Sequence, residues 1–339
     1  MLYRAFLSLV DRLPLPSLRT QKILAIIVIL TQGGIAVTGA IVRVTASGLG
    51  CPTWPQCFPG SFTPVGVAEV PFLHQAVEFG NRLLTFVVVL AAAAVVLAVT
   101  RARRRRGVLW FAWFMPLGTV LQAIIGGFTV LTGLLWWTVA IHLVVSMGMV
   151  WLATLLYFKV CEPDDATVVV GTVPEPLRLL TGLSAILLAG VLVAGTMLTG
   201  AGPHAGDKSI EEPVPRLEVE IVTLVHLHSQ LLVGYLALLV GLAFALYAVR
   251  APEPITKRLK ILIGVVLAQS LVGVVQYWTD VPAALVAIHV AGAGICTAAT
   301  AAVWAACRTR TYGQDAEAAQ RPSASVGPAA VGPATTEER

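Results

Sequence analysis

The sequence predicts an all-α membrane protein: eight transmembrane helices as two four-helix repeats of parallel topology, with both termini cytoplasmic. Three observations predict it. Hydrophobic residues make up 57% of the chain and charged residues 12%, a balance that soluble globular domains do not show. Eight apolar runs of about 20 residues are each long enough to cross a hydrocarbon core of roughly 30 Å. One internal offset relates the two halves of the chain.

The spans are expected at about 23–43, 74–99, 108–130, 137–158, 177–199, 220–248, 260–278 and 283–306. The first is too long for a signal-peptide apolar core, and no small-residue cleavage site follows it. Basic residues set the orientation. Arg4, Arg12, Arg19 and Lys22 precede the first span, and Arg101 and Arg103–Arg106 follow the second. Lys159, Arg178, Arg250, Lys257, Arg258, Lys260, Arg308 and Arg310 fall on the same side. The other side has Arg43, Lys208, Arg216 and, inside the second span, Arg82. The positive-inside rule puts the rich side in the cytoplasm of a multi-pass cell (plasma) membrane protein. The net charge of +5 is this bias and not a nucleic-acid surface. The partner it implies is the lipid bilayer.

The chain then divides into a cytoplasmic segment (1–22), a first repeat (23–158), a linker (159–176), a second repeat (177–306) and a disordered tail (307–339). The first span carries Gly33, Gly34 and Gly39, small residues that permit close helix packing. The repeat is read from LQAIIGGFTV (121–130) against AQSLVGVVQY (268–277), and from AIH at 140–142 against AIH at 287–289. Gln122 and Gln269, Gly126 and Gly273, and His142 and His289 are each 147 residues apart. Parallel repeats of this kind are a known transporter architecture.

The loop after the first span, IVRVTASGLGCPTWPQCFPGSF, carries more chemistry than a connection needs. Cys51 and Cys57 lie on the external side, where a disulfide persists, and a redox-active dithiol is the alternative. Cys161, Cys296 and Cys307 lie toward the cytoplasm and are expected to be free thiols. His204, in the loop 200–209, is expected at the surface.

Histidine inside a membrane helix needs a partner. The second repeat has His228 and His289 on its second and fourth spans at similar depth, which suits axial ligation of a haem iron from both sides. Hydrogen bonding within the bundle, or zinc, are the alternatives. His226, two residues from His228, points elsewhere on the helix and is expected to be structural. In the first repeat the fourth span has His142, but the offset from His228 lands on Asn81. His74 stands seven residues before Asn81 on the same face, roughly 10 Å nearer the outside. Glu78 shares that face, and its match in the second repeat is Val225. A buried carboxylate can move protons, or can pair with Arg82. Arg43 and Arg82 are candidates for haem propionates, because guanidinium matches carboxylate geometry; for Arg43 simple snorkelling to the interface is the alternative.

These residues resemble the haem A synthase family. The resemblance rests on VRVTASGLGCPTWPQC, EFGNRL, the two AIH motifs and GPHAGD, and covers about residues 20–306. It implies eight helices, a bound haem b, and haem O as substrate. The implied reaction is oxidation of a haem O methyl to a formyl by successive hydroxylations, giving haem A for cytochrome oxidase. It implies haem O synthase and cytochrome oxidase assembly factors as partners. The family's haem b ligands fall on His228 and His289. Its essential Glu, followed three residues later by His and then Arg, falls on Glu78, Asn81 and Arg82, with His142 on the fourth span. Asn81 departs from that pattern. Either His74 replaces the missing ligand, or His142 binds alone and the other side stays open. The second external loop also lacks a cysteine pair. A di-haem electron carrier and a haem carrier without chemistry are the competing functions; the first needs matching ligand pairs, which Asn81 argues against.

Overall fold

The computed structural model describes residues 2–66, 70–204, 206 and 214–312. The helices are α1 (Leu2–Val10), α2 (Leu18–Val44), α3 (Phe72–Arg101), α4 (Arg106–Leu131), α5 (Trp136–Cys161), α6 (Glu175–Ala201), α7 (Ile221–Ala248), α8 (Glu253–Trp278) and α9 (Ala283–Ala306). Eight of them, α2 to α9, are long and apolar enough to cross a membrane. They cover the eight predicted spans to within one residue, mostly with a few residues added at the ends. The short α1 lies in the predicted N-terminal segment.

Local chemistry starts these helices where they start. Ser17 caps α2 by accepting a hydrogen bond from the Thr20 amide at 3.1 Å, which satisfies one of the donors that a helix start leaves unpaired. Proline occupies the first turn of α6 and α8, where its missing N–H costs nothing.

Helices α2 to α5 pack around one another, and so do α6 to α9. The two bundles meet where α2 and α5 pack on α9 and α5 packs on α6. Each has its own apolar core. Val28, Val95, Met115, Ala153 and Leu156 belong to the first. Leu188, Tyr235, Leu239, Leu259 and Leu262 belong to the second.

The linker holds a strand, β1 (Val168–Gly171), which pairs antiparallel with β2 (Arg308–Thr311). That corrects the expectation of a disordered tail from residue 307. Its first residues are held by a backbone ladder, by Arg310 donating to the Ala166 carbonyl at 2.7 Å and by Tyr312 on Asp165. Residues 313–339 lie outside the described residues. This end of the molecule is called the strand end below, and the end carrying residues 45–71 the loop end. Both cores lie toward the strand end.

The basic run after α3 does more than mark an interface. Arg104 is buried. It donates to Gln21 Oε1 at 3.0 Å, to the Val160 carbonyl at 3.0 Å and to the Glu162 carbonyl at 2.9 Å. It also pairs with Asp164 at 2.5 Å, and Arg105 pairs with Glu162. The starts of α2 and α4 and the end of α5 are thereby tied together. The glycines of α2 behave otherwise than expected. A Cβ added at Gly33, Gly34 or Gly39 meets nothing within 4 Å, so no close helix contact depends on them.

Arg104→Ala is expected to lower stability by about 2 kcal/mol, because it strands partly buried acceptors and Asp164. The apparent Tm of the solubilised protein checks this. Arg103→Ala is the control: its side chain is 81% exposed against 8% for Arg104, and it should change stability by under about 0.5 kcal/mol.

Candidate functional site

His228 on α7 and His289 on α9 face each other inside the second bundle. Their ring centroids are 6.4 Å apart and the rings are inclined at 53°. Metal–nitrogen bonds of about 2 Å on each side of an iron place two axial imidazole centroids roughly 6 Å apart. The pair meets that requirement. His228 Nδ1 is 3.0 Å from the Val191 carbonyl, a bond that fixes the ring and leaves Nε2 for a metal. Each ring lies in a recess left by a glycine. A Cβ at Gly195 would stand 3.2 Å from His228 Cε1, and one at Gly273 would stand 3.1 Å from His289 Cε1. Gln269 donates to the His289 carbonyl at 2.8 Å. Among the described residues no group of three or more His, Cys, Asp or Glu side chains could hold a metal ion, and a structural zinc site needs four ligands. The donor set fits an iron whose remaining ligands come from a macrocycle. His226 is exposed on α7, in keeping with the structural reading.

The first bundle repeats half of this arrangement. His142 on α5 lies beside Gly126, whose added Cβ would stand 3.4 Å from Cε1 and Nε2. Gln122 bonds Ser146 Oγ at 2.5 Å and approaches the His142 carbonyl at 3.4 Å. The position that matches His228 is Asn81. Asn81 accepts a hydrogen bond from Thr38 of α2 at 2.7 Å, which fixes its amide against that helix. His74 lines a different space, described below.

Glu78 and Arg82, one turn apart on α3, hold the loop that follows α2. Glu78 is buried, at 4% exposure. Its Oε2 accepts from the Cys51 amide at 2.7 Å, and its Oε1 from Arg82 Nε at 3.2 Å and Nη2 at 2.6 Å. Arg82 Nη1 donates to the carbonyls of Thr53 and Gln56, and Nη2 to that of Cys51. Those five contacts match the five N–H donors of a guanidinium, which leaves none for a propionate. Pairing of Glu78 with Arg82 is therefore realised, and the loop is what the pair grips. Cys51 and Cys57 form a disulfide with Cα atoms 4.3 Å apart, while Cys161, Cys296 and Cys307 are free. Trp54 lies flat against Gly127 of α4, where an added Cβ would stand 2.5 Å from the indole. The loop thus spans α3 and α4 over the end of the first bundle. Thr38, Trp54, Gly127 and Val191 were not singled out from sequence. The paired glycines at 126 and 127 were the available signal.

At the loop end, where the bundles meet, a cavity of about 300 Å³ is lined by Arg43, Val44, Thr45, Ala46, His74, His204 and Gly206. Arg43 Nη2 donates to the Thr199 carbonyl at 2.9 Å. His204 is half-buried, with Nε2 2.9 Å from the Val281 carbonyl, so it is a wall of this cavity rather than a surface residue. The Gly48 amide reaches the Gly206 carbonyl at 2.9 Å, joining the two outer segments.

Residues 22–301 match the model of a family described as cytochrome oxidase assembly protein. Among curated relatives, a heme A synthase of Geobacillus kaustophilus (strain HTA426) is 34% identical over 98 residues, covering 29% of this chain and 29% of that one. One from Geobacillus thermodenitrificans is 33% identical over 98 residues, again 29% of each. One from Lysinibacillus sphaericus (strain C3-41) is 30% identical over 125 residues, 37% of each. The chain spans less than two-fifths of the length of these relatives in each match.

Arg82→Ala should free the loop without breaking the disulfide. It removes a buried partner of Glu78 and three carbonyl contacts, at a cost of about 3 kcal/mol. Amide exchange measured by mass spectrometry should rise at least tenfold over residues 51–57 while Cys51 and Cys57 are still recovered linked. Unchanged exchange would show that the clamp does not hold the loop.

Proposed function

The chain belongs to the cytochrome oxidase assembly protein family, and from that premise we propose that it is a haem A synthase. Its substrate is haem O, and it hydroxylates one haem O methyl successively to a diol that loses water to give the formyl, with the oxygen source and the electron-accepting oxidant coming from outside this chain. The observation that carries this reading is an asymmetry. Two imidazoles face each other in the second bundle, whereas in the first the position matching His228 is Asn81, and His142 is accompanied by a loop gripped by Glu78. A carrier that only relays electrons between two haems needs matching pairs.

His228 and His289 would hold haem b, with the Val191 carbonyl orienting the first ring. When bound, haem b supplies a redox-active iron that exchanges single electrons. His142 positions haem O in the first bundle from one side. The other side carries no histidine, and two contacts support this: Asn81 is bonded to Thr38, and His74 belongs to the outer cavity. Glu78 takes up a proton released as the methyl is oxidised, and by holding the Cys51 amide it also sets the loop over the site. Trp54 and the disulfide keep that cover shut against water. The two bundles are parallel repeats in a cell membrane with both termini cytoplasmic, and haem O synthase and assembly factors of cytochrome oxidase act before and after this step.

Expression together with haem O synthase, followed by pigment extraction, tests the reading: haem A is expected, and haem O alone would overturn it. His228→Ala and His289→Ala should each abolish the low-spin haem b spectrum. Glu78→Gln and His142→Ala should keep that spectrum and lose haem A formation by a factor on the order of 100. Asn81→Ala and His74→Ala should each cost less than about tenfold, since neither removes an iron bond.

A further inference from the structure

Among the described residues, the cavity at the loop end has two buried side-chain nitrogens without a hydrogen-bond partner. Arg43 Nε is buried and has no hydrogen-bond partner, and so is His74 Nδ1. Both side chains line the cavity, and among the described residues no carboxylate does. Among the described residues Arg43 forms no ion pair, although Arg104 and Arg105 at the strand end each have one. A guanidinium held in a membrane protein without a counter-charge is costly. Arg43 is already fixed in direction by its bond to Thr199, so it is pre-set for a ligand. Guanidinium with a neighbouring imidazole is a donor set for a carboxylate.

Position narrows the ligand. Arg43 follows Thr38 by five residues on α2, and His74 precedes Asn81 by seven on α3. The cavity therefore lies roughly 10 Å outward from the Thr38–Asn81 contact, on the side of the first bundle that carries no iron-binding histidine. That distance suits the reach from the centre of a tetrapyrrole to the tip of a carboxylate arm. A volume of about 300 Å³ is at the lower limit for a drug-sized ligand. It takes an arm and not the macrocycle.

The geometry points to this cavity as the seat of one carboxylate arm of the haem substrate, bound by Arg43 and His74 of the first bundle against a wall, His204 and Gly206, supplied by the second. This rests on the haem A synthase reading. It makes Arg43 a substrate-anchoring residue and gives the second bundle a direct part in the substrate site.

The test uses the haem b-loaded protein in phosphatidylcholine nanodiscs. Haem O and its dimethyl ester are titrated in, and binding is followed by quenching of tryptophan fluorescence. The wild-type protein should bind the free acid roughly ten- to a hundredfold more tightly than the diester, the usual range for a hydrogen-bonded charge. Arg43→Gln should bring the acid down to the affinity of the diester and leave the diester unchanged; Arg43→Lys should keep part of the preference. Equal loss for both ligands, or no loss, would overturn the assignment. Loss of the wild-type preference when phosphatidylglycerol is added would also overturn it, in favour of a lipid headgroup. If Arg43→Gln disturbs the haem b spectrum, the wild-type acid-to-ester ratio and His74→Ala decide instead: a ratio near one rules the site out, and a reduced preference in His74→Ala supports it. Haem A formation is scored separately. A protein that makes haem A but binds both forms equally keeps its function and loses this site. One that makes none but shows the Arg43-dependent preference keeps the site and loses the function.

Discussion

Glu78 lies inside a membrane-spanning helix, where a carboxylate is tolerated only with partners. Its partners are Arg82 and the amide of Cys51, and Arg82 in turn takes three carbonyls of the first outer loop. Backbone carbonyls near a membrane interface have few protein donors to choose from, so three guanidinium contacts and the Glu78 bond to the Cys51 amide fix that loop firmly. The other features of the loop follow from this grip. The disulfide shortens it, and Trp54 takes the room that Gly127 leaves on α4. The first bundle is thereby closed at the end where His142 lies.

Each bundle divides its length between two tasks. Toward the strand end, leucine, valine, alanine and methionine interlock into a dry core, which sets helix spacing. Toward the loop end, glycines at 126, 195 and 273 make recesses into which imidazole rings fit. The cores hold the helices rigid, and rigid helices can keep two rings 6.4 Å apart without metal-independent contacts between them. The contact of α5 with α9 brings the fourth helices of the two bundles, with His142 and His289, into one central layer.

Much of this was legible in the sequence, because it depends on local quantities. Span length and hydropathy place all eight long helices, since nothing but a helix satisfies its own backbone in hydrocarbon. The 147-residue offset pairs His142 with His289, and the same offset exposes Asn81 as the odd member. What failed to show depends on partners far away in the chain. Arg82 was open to a propionate until the positions of Cys51, Thr53 and Gln56 were known. His204 reads as a loop residue, and only the fold brings it to Val281. The α2 glycines follow a packing pattern that α2 does not use, whereas Gly127 has no pattern and matters because an indole lands on it. The four residues Arg308–Thr311 have no hydrophobic periodicity, and they become a strand only because Val168–Gly171 is there to pair with.

That strand pair imposes an order on biosynthesis. Val168 pairs with Thr311 and Gly171 with Arg308, so the segment joining the two bundles finds its partner only after α9 has been translated. At roughly 5–20 residues per second, the ribosome leaves β1 as an open edge for many seconds while four more helices are inserted. An unpaired edge is a template for other strands, but this one is four residues long and is flanked by Asp164, Asp165 and Glu175, charges that discourage stray pairing. Residues made only after α9 therefore fasten the bridge between the halves, and a nascent chain that stalls just past α9 carries both bundles with that bridge undone.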